Sequence, residues 1–270
     1  AASAQQPLLD ILSSDAASAI KQAVLNSLQG YESDDVAAKT IAAYNAFSAD
    51  SKLTAQSLLA SRPQWTLQLL DQVAQKKIPK AAIGQDTILK MLLHNDATIK
   101  GKVQQAFGEQ VNATSEQLQT RITSLVQIIS EAAGNPYDGK PLFLQHCGKC
   151  HQLFTDGGNI GPDLTSFKRD DLQNMLLNIA NPSISIRKGF ENYAILTLDG
   201  RVLTGFIDDQ DSRVVVLQGP DGQRTVVNRQ SIDEMHAIAR SIMPEGILKM
   251  LSPQQIRDLF AYLRSSQPLP

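Results

Sequence analysis

Cysteine is scarce in this chain of 270 residues: there are two, Cys147 and Cys150. Histidine is nearly as rare, and His94, His146, His151 and His236 lie too far apart for a zinc finger. No apolar run reaches the roughly 18 residues that a membrane-spanning helix needs. An excess of charge is missing too. Lys and Arg number 25 against 27 Asp and Glu, and the net charge of −2 gives no large field and no case for nucleic acid. No exact internal repeat is visible. The opening Ala-Ala-Ser-Ala-Gln-Gln-Pro has no basic region followed by an apolar core, so no signal peptide is read in this chain. The length suffices for two modest domains.

What is present is concentrated at residues 147 to 151, Cys-Gly-Lys-Cys-His. Cys-x-x-Cys-His is the attachment pattern of a c-type haem. Two thiols at this spacing reach the two vinyl groups of one porphyrin edge. The histidine directly after the second thiol then supplies an imidazole nitrogen to the iron. One covalent haem accounts for both cysteines, leaving none for a disulfide or a second haem. Two other readings compete. A redox dithiol belongs in a strand-turn-helix setting, whereas Pro141-Leu-Phe-Leu-Gln-His146 reads as helix. A half zinc site needs two more ligands at sensible spacing.

The sixth ligand is sought downstream, in Ser241-Ile-Met-Pro-Glu-Gly246. Proline after Met243 disfavours helix there, and a loop methionine can turn its thioether toward iron. Helical methionines more often fill cores. Met235 and His236, in a predicted short helix over 233–240, and Met250 are the alternatives, as is an open site. His/Met ligation raises the potential of the iron and bis-histidine lowers it. A terminal helix follows, with Ser252 as N-cap, Pro253 in the first turn and Gln255 completing a capping box. Ile256, Leu259, Phe260 and Leu263 form its apolar stripe.

This order of parts resembles a class I cytochrome c. The resemblance implies that Phe143 and Tyr262 pack where the first and last helices cross. Gly161-Pro162-Asp-Leu164 also matches a family motif, which implies that the Pro162 carbonyl accepts the Nδ1–H of His151. Such a bond fixes the ring and raises its basicity.

Elsewhere the periodicity predicts helices over 16–28, 36–47, 53–59, 65–73 (opened by Pro63), 87–93, 99–107 and 118–129. Their lengths suggest stacked helical pairs as in HEAT-like solenoids. Trp65 is expected in the core. Asn112-Ala-Thr114 fits a glycosylation sequon by chance. The turn-forming cluster from Asn135 to Gly139 is the expected boundary, giving a helical repeat domain over 1–134 and a monohaem cytochrome domain over 135–270. Ser166 or Asp170 is expected to cap a helix running through Asn178 and stopped by Asn181-Pro182. Between about 192 and 232 the period changes to that of strands. Asp199-Gly200 and Pro220-Asp-Gly222 mark turns in an inserted antiparallel sheet of about four strands.

The whole arrangement is similar to the haem-binding cytochrome domain of planctomycetes and verrucomicrobia, in which helical repeats precede the cytochrome. The matching stretches are Gly148–His151, Ile160–Thr165, Ile179–Ser183, Thr197–Arg201, Ser241–Gly246 and Asp258–Leu263. The fold expected is mainly α, with HEAT-like repeats before a class I cytochrome c fold that carries the β insertion. The resemblance implies a single-electron relay more than an enzyme. It would accept electrons from a fused or docked quinoprotein-type dehydrogenase and pass them to a periplasmic acceptor. A haem peroxidase or a gas or redox sensor with a labile sixth ligand is the alternative, and a docking scaffold in the helical half is a third. Haem c is attached outside the bacterial cytoplasm, so the expected location is periplasmic or otherwise exported. The chain is then a mature product or, preferably, a piece of a longer exported protein. Arg187, Lys188, Arg201, Arg224 and Arg240 are possible partners for haem propionates.

Overall fold

The computed structural model describes residues 2–108 and 115–270. The Asn112 sequon lies outside the described residues. In chain order the first helices are α1 (Ala2–Leu12), α2 (Ser18–Leu28), α3 (Asp34–Ala43), α4 (Ala49–Leu59), α5 (Pro63–Ala74), α6 (Gln85–Leu92) and α7 (Ala97–Phe107). Next come α8 (Ser115–Glu131), α9 (Pro136–His146), the short strands β1 (Gln152–Leu153) and β2 (Asp156–Gly157), and α10 (Leu172–Ala180). Strands β3 (Asn192–Thr197), β4 (Val202–Gln210), β5 (Val214–Gln218), β6 (Arg224–Asn228) and β7 (Ile232–Ile238) precede α11 (Pro253–Leu263). The protein is thus mainly α with a small antiparallel sheet. No helix among the described residues is long and apolar enough to cross a membrane.

Contacts divide the chain into two compact units. The first is Ala1–Val111 with Tyr193–Ala237, and the second is Asn112–Asn192 with Ile238–Pro270. This differs from a division at 134/135 in two respects: the sheet groups with the N-terminal helices, and α8 groups with the residues around the Cys-x-x-Cys-His turn.

In the first unit, local chemistry starts the helices. The side chains of Ser33, Ser48 and Asp96 accept hydrogen bonds from amides in the first turns of α3, α4 and α7, which satisfies donors that a helix start leaves unpaired. Alternate helices pack together, α2 on α4, α3 on α5 and α5 on α7. Leu25, Leu58, Leu69 and Trp65 are buried between them. Helix α1 was not among the expected helices, and it carries Pro7 in its interior. Burial of Leu9 and Leu12 offsets the hydrogen bond that Pro7 removes.

The five-stranded sheet runs in the order β6-β5-β4-β3-β7. Asp199-Gly200 forms the β3–β4 turn, with Gly200 at a φ of 78° that suits glycine. Tyr193 pairs with Gly205 and Ile195 with Leu203. Alternation puts Ile195, Leu203, Val215, Leu217 and Val227 in one cluster. Strand β7 corrects the helix expected over 233–240. The apolar spacing of Ile232, Met235 and Ile238 looks helical, but the open edge of β3 needs partners for its backbone groups. Leu198 donates to the Ser231 carbonyl at 2.9 Å where this pairing begins.

Both hairpin turns dock on the helices of the same unit. Arg62, 6 % exposed, donates to the Asp199 carbonyl at 2.9 Å and to its carboxylate at 3.0 Å. Its guanidinium also lies 5.2 Å from the Trp65 ring. The Val202 amide donates to the Ser61 carbonyl at 2.8 Å. At the second turn Asp221 accepts from Asn26 and Thr54.

The second unit is built on α9 and α11, which cross closely. Phe143 and Tyr262 meet there with ring centroids 5.4 Å apart, the packing pair implied by the resemblance. Each buried ring contributes about 2–3 kcal/mol of hydrophobic stabilisation. Gly139 makes the crossing possible. A Cβ on it would lie 2.6 Å from the carbonyl carbon of Asp258 and 2.9 Å from the Cβ of Tyr262. The Asn135 to Gly139 cluster is therefore not an open turn. Asn135 caps α9 by accepting from the Tyr137 amide, and Pro136 occupies the first turn. The stripe of α8 (Leu118, Ile122, Leu125, Val126 and Ile129) packs into this core beside α10 and α11. Helix α10 is capped by Asp171, not by Ser166 or Asp170.

Candidate functional site

The Cys-x-x-Cys-His turn hangs from the end of α9. The Phe143 carbonyl accepts from the amides of both Cys147 (2.8 Å) and Gly148 (2.7 Å), which stops the helix. The Cys147 carbonyl then accepts from Cys150 and His151, so the pentapeptide closes into one tight turn. Both cysteines are free thiols.

The segment after this turn folds back over it. Strands β1 and β2 form a hairpin, with Leu153 opposite Asp156. Gly157 (φ 103°), Gly158 and Gly161 lie against the turn, and each is required by a close approach. A Cβ on Gly157 would strike the His151 carbonyl, and one on Gly158 would lie 2.5 Å from the Lys149 carbonyl. A Cβ on Gly161 would lie 2.9 Å from Cε1 and 3.0 Å from Nδ1 of the His151 ring. The Gly158 amide donates to the Gly148 carbonyl and the Gly161 amide to the Cys150 carbonyl, each at 2.7 Å.

These contacts deliver the Pro162 carbonyl to the ring. His151 Nδ1 lies 2.8 Å from it, the geometry of an N–H donor on that nitrogen. The assignment leaves Nε2 as the nitrogen suited to a metal. Burial lowers the pKa of His151, and the bond to Pro162 only partly opposes this. The ring is therefore neutral near pH 7, the form that ligates.

No family model matches the chain, and no curated protein matches it either.

The site's own chemistry weighs against the duller readings of the motif. A redox dithiol works through a lowered thiol pKa. Here burial, with the neighbouring Cys150, pushes the Cys147 thiol up to about 12. Burial raises the Cys150 thiol as well. Among the described residues no three His, Cys, Asp or Glu side chains converge as metal donors.

The four candidates for a sixth ligand fall in different settings. Met243 is half-buried in a loop of the second unit, which also contains His151 and Pro162. Its amide donates to the Ser241 hydroxyl at 3.1 Å, and the Ser241 amide to the Ser183 hydroxyl at 3.2 Å. The adjacent Ile242 is buried and anchors the loop. Met235 belongs to β7 and packs on the sheet cluster, and His236 is exposed on that strand of the first unit. Met250 is 70 % exposed. Of the cations considered for propionates, Arg201 pairs with Asp199, Arg224 with Asp208 and Arg240 with Glu245. Arg187 and Lys188 are exposed.

Several contacts that hold this site were not picked out from the sequence, where Tyr262 was named only as the packing partner of Phe143. Tyr262 Oη donates to Asp156 at 3.0 Å, and Lys140 Nζ lies 3.1 Å from the same carboxylate oxygen. Arg169 stacks 5.0 Å from the Phe154 ring and donates to the carbonyls of Leu263, Ser265 and Thr165. The Thr165 hydroxyl accepts from the Phe154 amide at 2.7 Å. Phe154 has a φ of 58°, a conformation that costs about 1 kcal/mol or more and needs such support. The one sequence signal was the run of glycines between His151 and Pro162.

Proposed function

We propose that this chain is a monohaem c-type cytochrome module that transfers single electrons. Its second unit would take a class I cytochrome c fold, and the helices of its first unit a HEAT-like array. The observation that carries the reading is the 2.8 Å contact from His151 Nδ1 to the Pro162 carbonyl, directly after two free thiols in one closed turn. A histidine held by Nδ1, neutral and half-buried, is prepared to give Nε2 to a metal. The donor set is one thioether-forming pair and one imidazole, which fits haem c.

Cys147 and Cys150 would hold the porphyrin, His151 would be the proximal ligand, and Met243 is the preferred sixth ligand. The haem, when bound, supplies a one-electron ferric/ferrous couple. The chain's own residues do the rest. Pro162 orients the His151 ring, Gly161 leaves room for it, and the buried Phe143–Tyr262 contact fixes the helix from which the turn hangs. The alternating helix pairs of the first unit support a repeat-like layer onto which the sheet docks. The proposed donor is a quinoprotein-type dehydrogenase, fused or docked, and the proposed acceptor a periplasmic carrier. An exported location follows from where haem c is attached.

The test is production of the full chain with haem-attachment machinery. The expected product carries haem through denaturing electrophoresis and has a low-spin spectrum with a weak thioether-to-ferric band. Cys147→Ser with Cys150→Ser should abolish covalent haem. Met243→Ala should abolish the thioether band, and a band that survives would sink the ligand assignment. A high-spin ferrous form that binds carbon monoxide rapidly in the parent chain would favour the peroxidase or sensor reading instead.

A further inference from the structure

We infer that Tyr262 and Asp156 are positioning residues for the His151 ring, acting through the glycine-rich strap between them and Pro162. The inference rests on the reading of His151 as an iron ligand. The strap, residues 156 to 162, touches the Cys-x-x-Cys-His turn at three levels. Gly157 lies on the His151 carbonyl, Gly158 bonds to Gly148, and Gly161 bonds to Cys150 and faces the ring. Its far end presents the Pro162 carbonyl to Nδ1. A strap of this kind, with three glycines in seven residues, has little stiffness of its own. Its position is set by what holds its ends.

Asp156 is the near anchor. Its carboxylate receives the Tyr262 hydroxyl from α11 and the Lys140 ammonium from α9. Tyr262 is fully buried, so its hydroxyl must have a partner, and Asp156 is that partner. Burial and the adjacent carboxylate raise the Tyr262 pKa, which keeps the hydroxyl a donor across the ordinary pH range. The ring of Tyr262 packs on Phe143, but its oxygen reaches the loop that holds the ligand. One residue thus serves both the helix crossing and the strap.

Tyr262→Phe separates these roles, because it keeps the ring and the charge of Asp156 and removes one oxygen. The strap then loses an anchor and the bond from His151 to Pro162 loosens. A less basic imidazole stabilises ferric iron less, so the midpoint potential should rise. In the full chain as produced, the Gly158 and Gly161 amides should exchange with solvent about tenfold faster, the effect of one lost hydrogen bond. Ile256→Val is the control, since it trims the α11 core (Ile256, 3 % exposed) without touching the strap. It should leave both readouts unchanged.

Unchanged exchange and potential in Tyr262→Phe overturn the inference. Equal changes in Ile256→Val overturn it too, because the effect is then one of general stability. So does a parent chain in which the Gly158 and Gly161 amides have no protection. If no haem attaches at all, the proposed function fails, and exchange at the two amides still decides whether Tyr262 holds the strap.

Discussion

Two glycines inside helices should respond to alanine with opposite signs. Gly139 in α9 and Gly101 in α7 both lack the side chain that a helix interior favours, and replacement by alanine gains about 1 kcal/mol of helix propensity at either. At Gly101 nothing lies within 4 Å of the new Cβ, so that gain stands alone. At Gly139 the new Cβ meets the backbone carbonyl of Asp258, with its carbon 2.6 Å away, and the Tyr262 Cβ at 2.9 Å. Backbone atoms cannot swing aside as a flexible side chain can, so α9 must move off α11. Overpacking of this kind costs roughly 1–3 kcal/mol, and a backbone contact belongs at the upper end. The net expectation is a loss of about 1–2 kcal/mol, with a lowering of Tm by roughly 4–10 °C for a unit of this size. Gly101→Ala should raise stability by about 1 kcal/mol. Urea unfolding of the full chain, followed by far-UV circular dichroism, measures both variants. If Gly139→Ala stabilises as much as Gly101→Ala, the α9–α11 crossing is not set by backbone contact, and the account of the site built on it fails.

Three more outcomes follow from buried charge and close contact. Burial lowers the pKa of Lys90 from 10.5 to about 8, with Asp86 and Asp221 opposing the shift. A folded pKa below the unfolded one means the unfolded chain binds more protons between these values. The first unit should therefore gain stability as pH rises from about 8 to 10.5, by at most about 3 kcal/mol. Lys90→Met should flatten that rise in urea titrations, and a rise that persists would assign it elsewhere. For Asp199, burial alone would raise the carboxyl, but the Thr197 hydroxyl, Arg201 and Arg62 outweigh it and hold the pKa at about 2. The folded value lies below 3.8, so this stabilisation is present above about pH 4 and fades as pH falls through 2. Arg62→Met should weaken the first unit at neutral pH and shift its acid unfolding upward, as seen by tryptophan fluorescence of Trp65. Gly161→Ala should push the His151 ring off the Pro162 carbonyl, since the new Cβ would lie 2.9 Å from Cε1. If haem is bound as proposed, its spectrum should then change, and an unchanged one would show that the strap can yield.

What could be read from the sequence was what short-range chemistry decides. The Ser252–Gln255 capping box forms as written, with both reciprocal bonds present. The Asp199-Gly200 turn closes its hairpin, and the helices from α2 to α7 lie within a few residues of their expected spans. The pairing of Phe143 with Tyr262, and of His151 with Pro162, came through resemblance and appears in the geometry. What escaped depends on partners distant in the chain. Strand β7 is a strand because β3 has an open edge, and its own residues carry a helical spacing. The sheet belongs with the first unit because Arg62 reaches Asp199, a pairing across 137 positions that no local pattern announces. Helix α8 was rightly read as amphipathic, but amphipathicity does not say which core the apolar face will enter. In the site, Lys140 and Asp156 come from separate elements and each alone looks like an ordinary polar residue, while Tyr262 was read for its ring and not for its hydroxyl.

The docking of the two hairpin turns on α2, α4 and the Arg62 corner also orders how the chain can mature as it is synthesised. Helices α1 to α7 leave the ribosome before the sheet, yet Arg62 cannot meet Asp199, nor Asn26 and Thr54 meet Asp221, until the hairpins have followed. The Cys147–His151 turn emerges in the interval, while the first unit still lacks its sheet. Met243 comes only after that sheet is complete. Since domains fold as units during synthesis, Cys147 and Cys150 are made before either unit has all of its residues. A truncation after residue 111 would accordingly leave a half-built layer with a buried arginine and no acid to meet it.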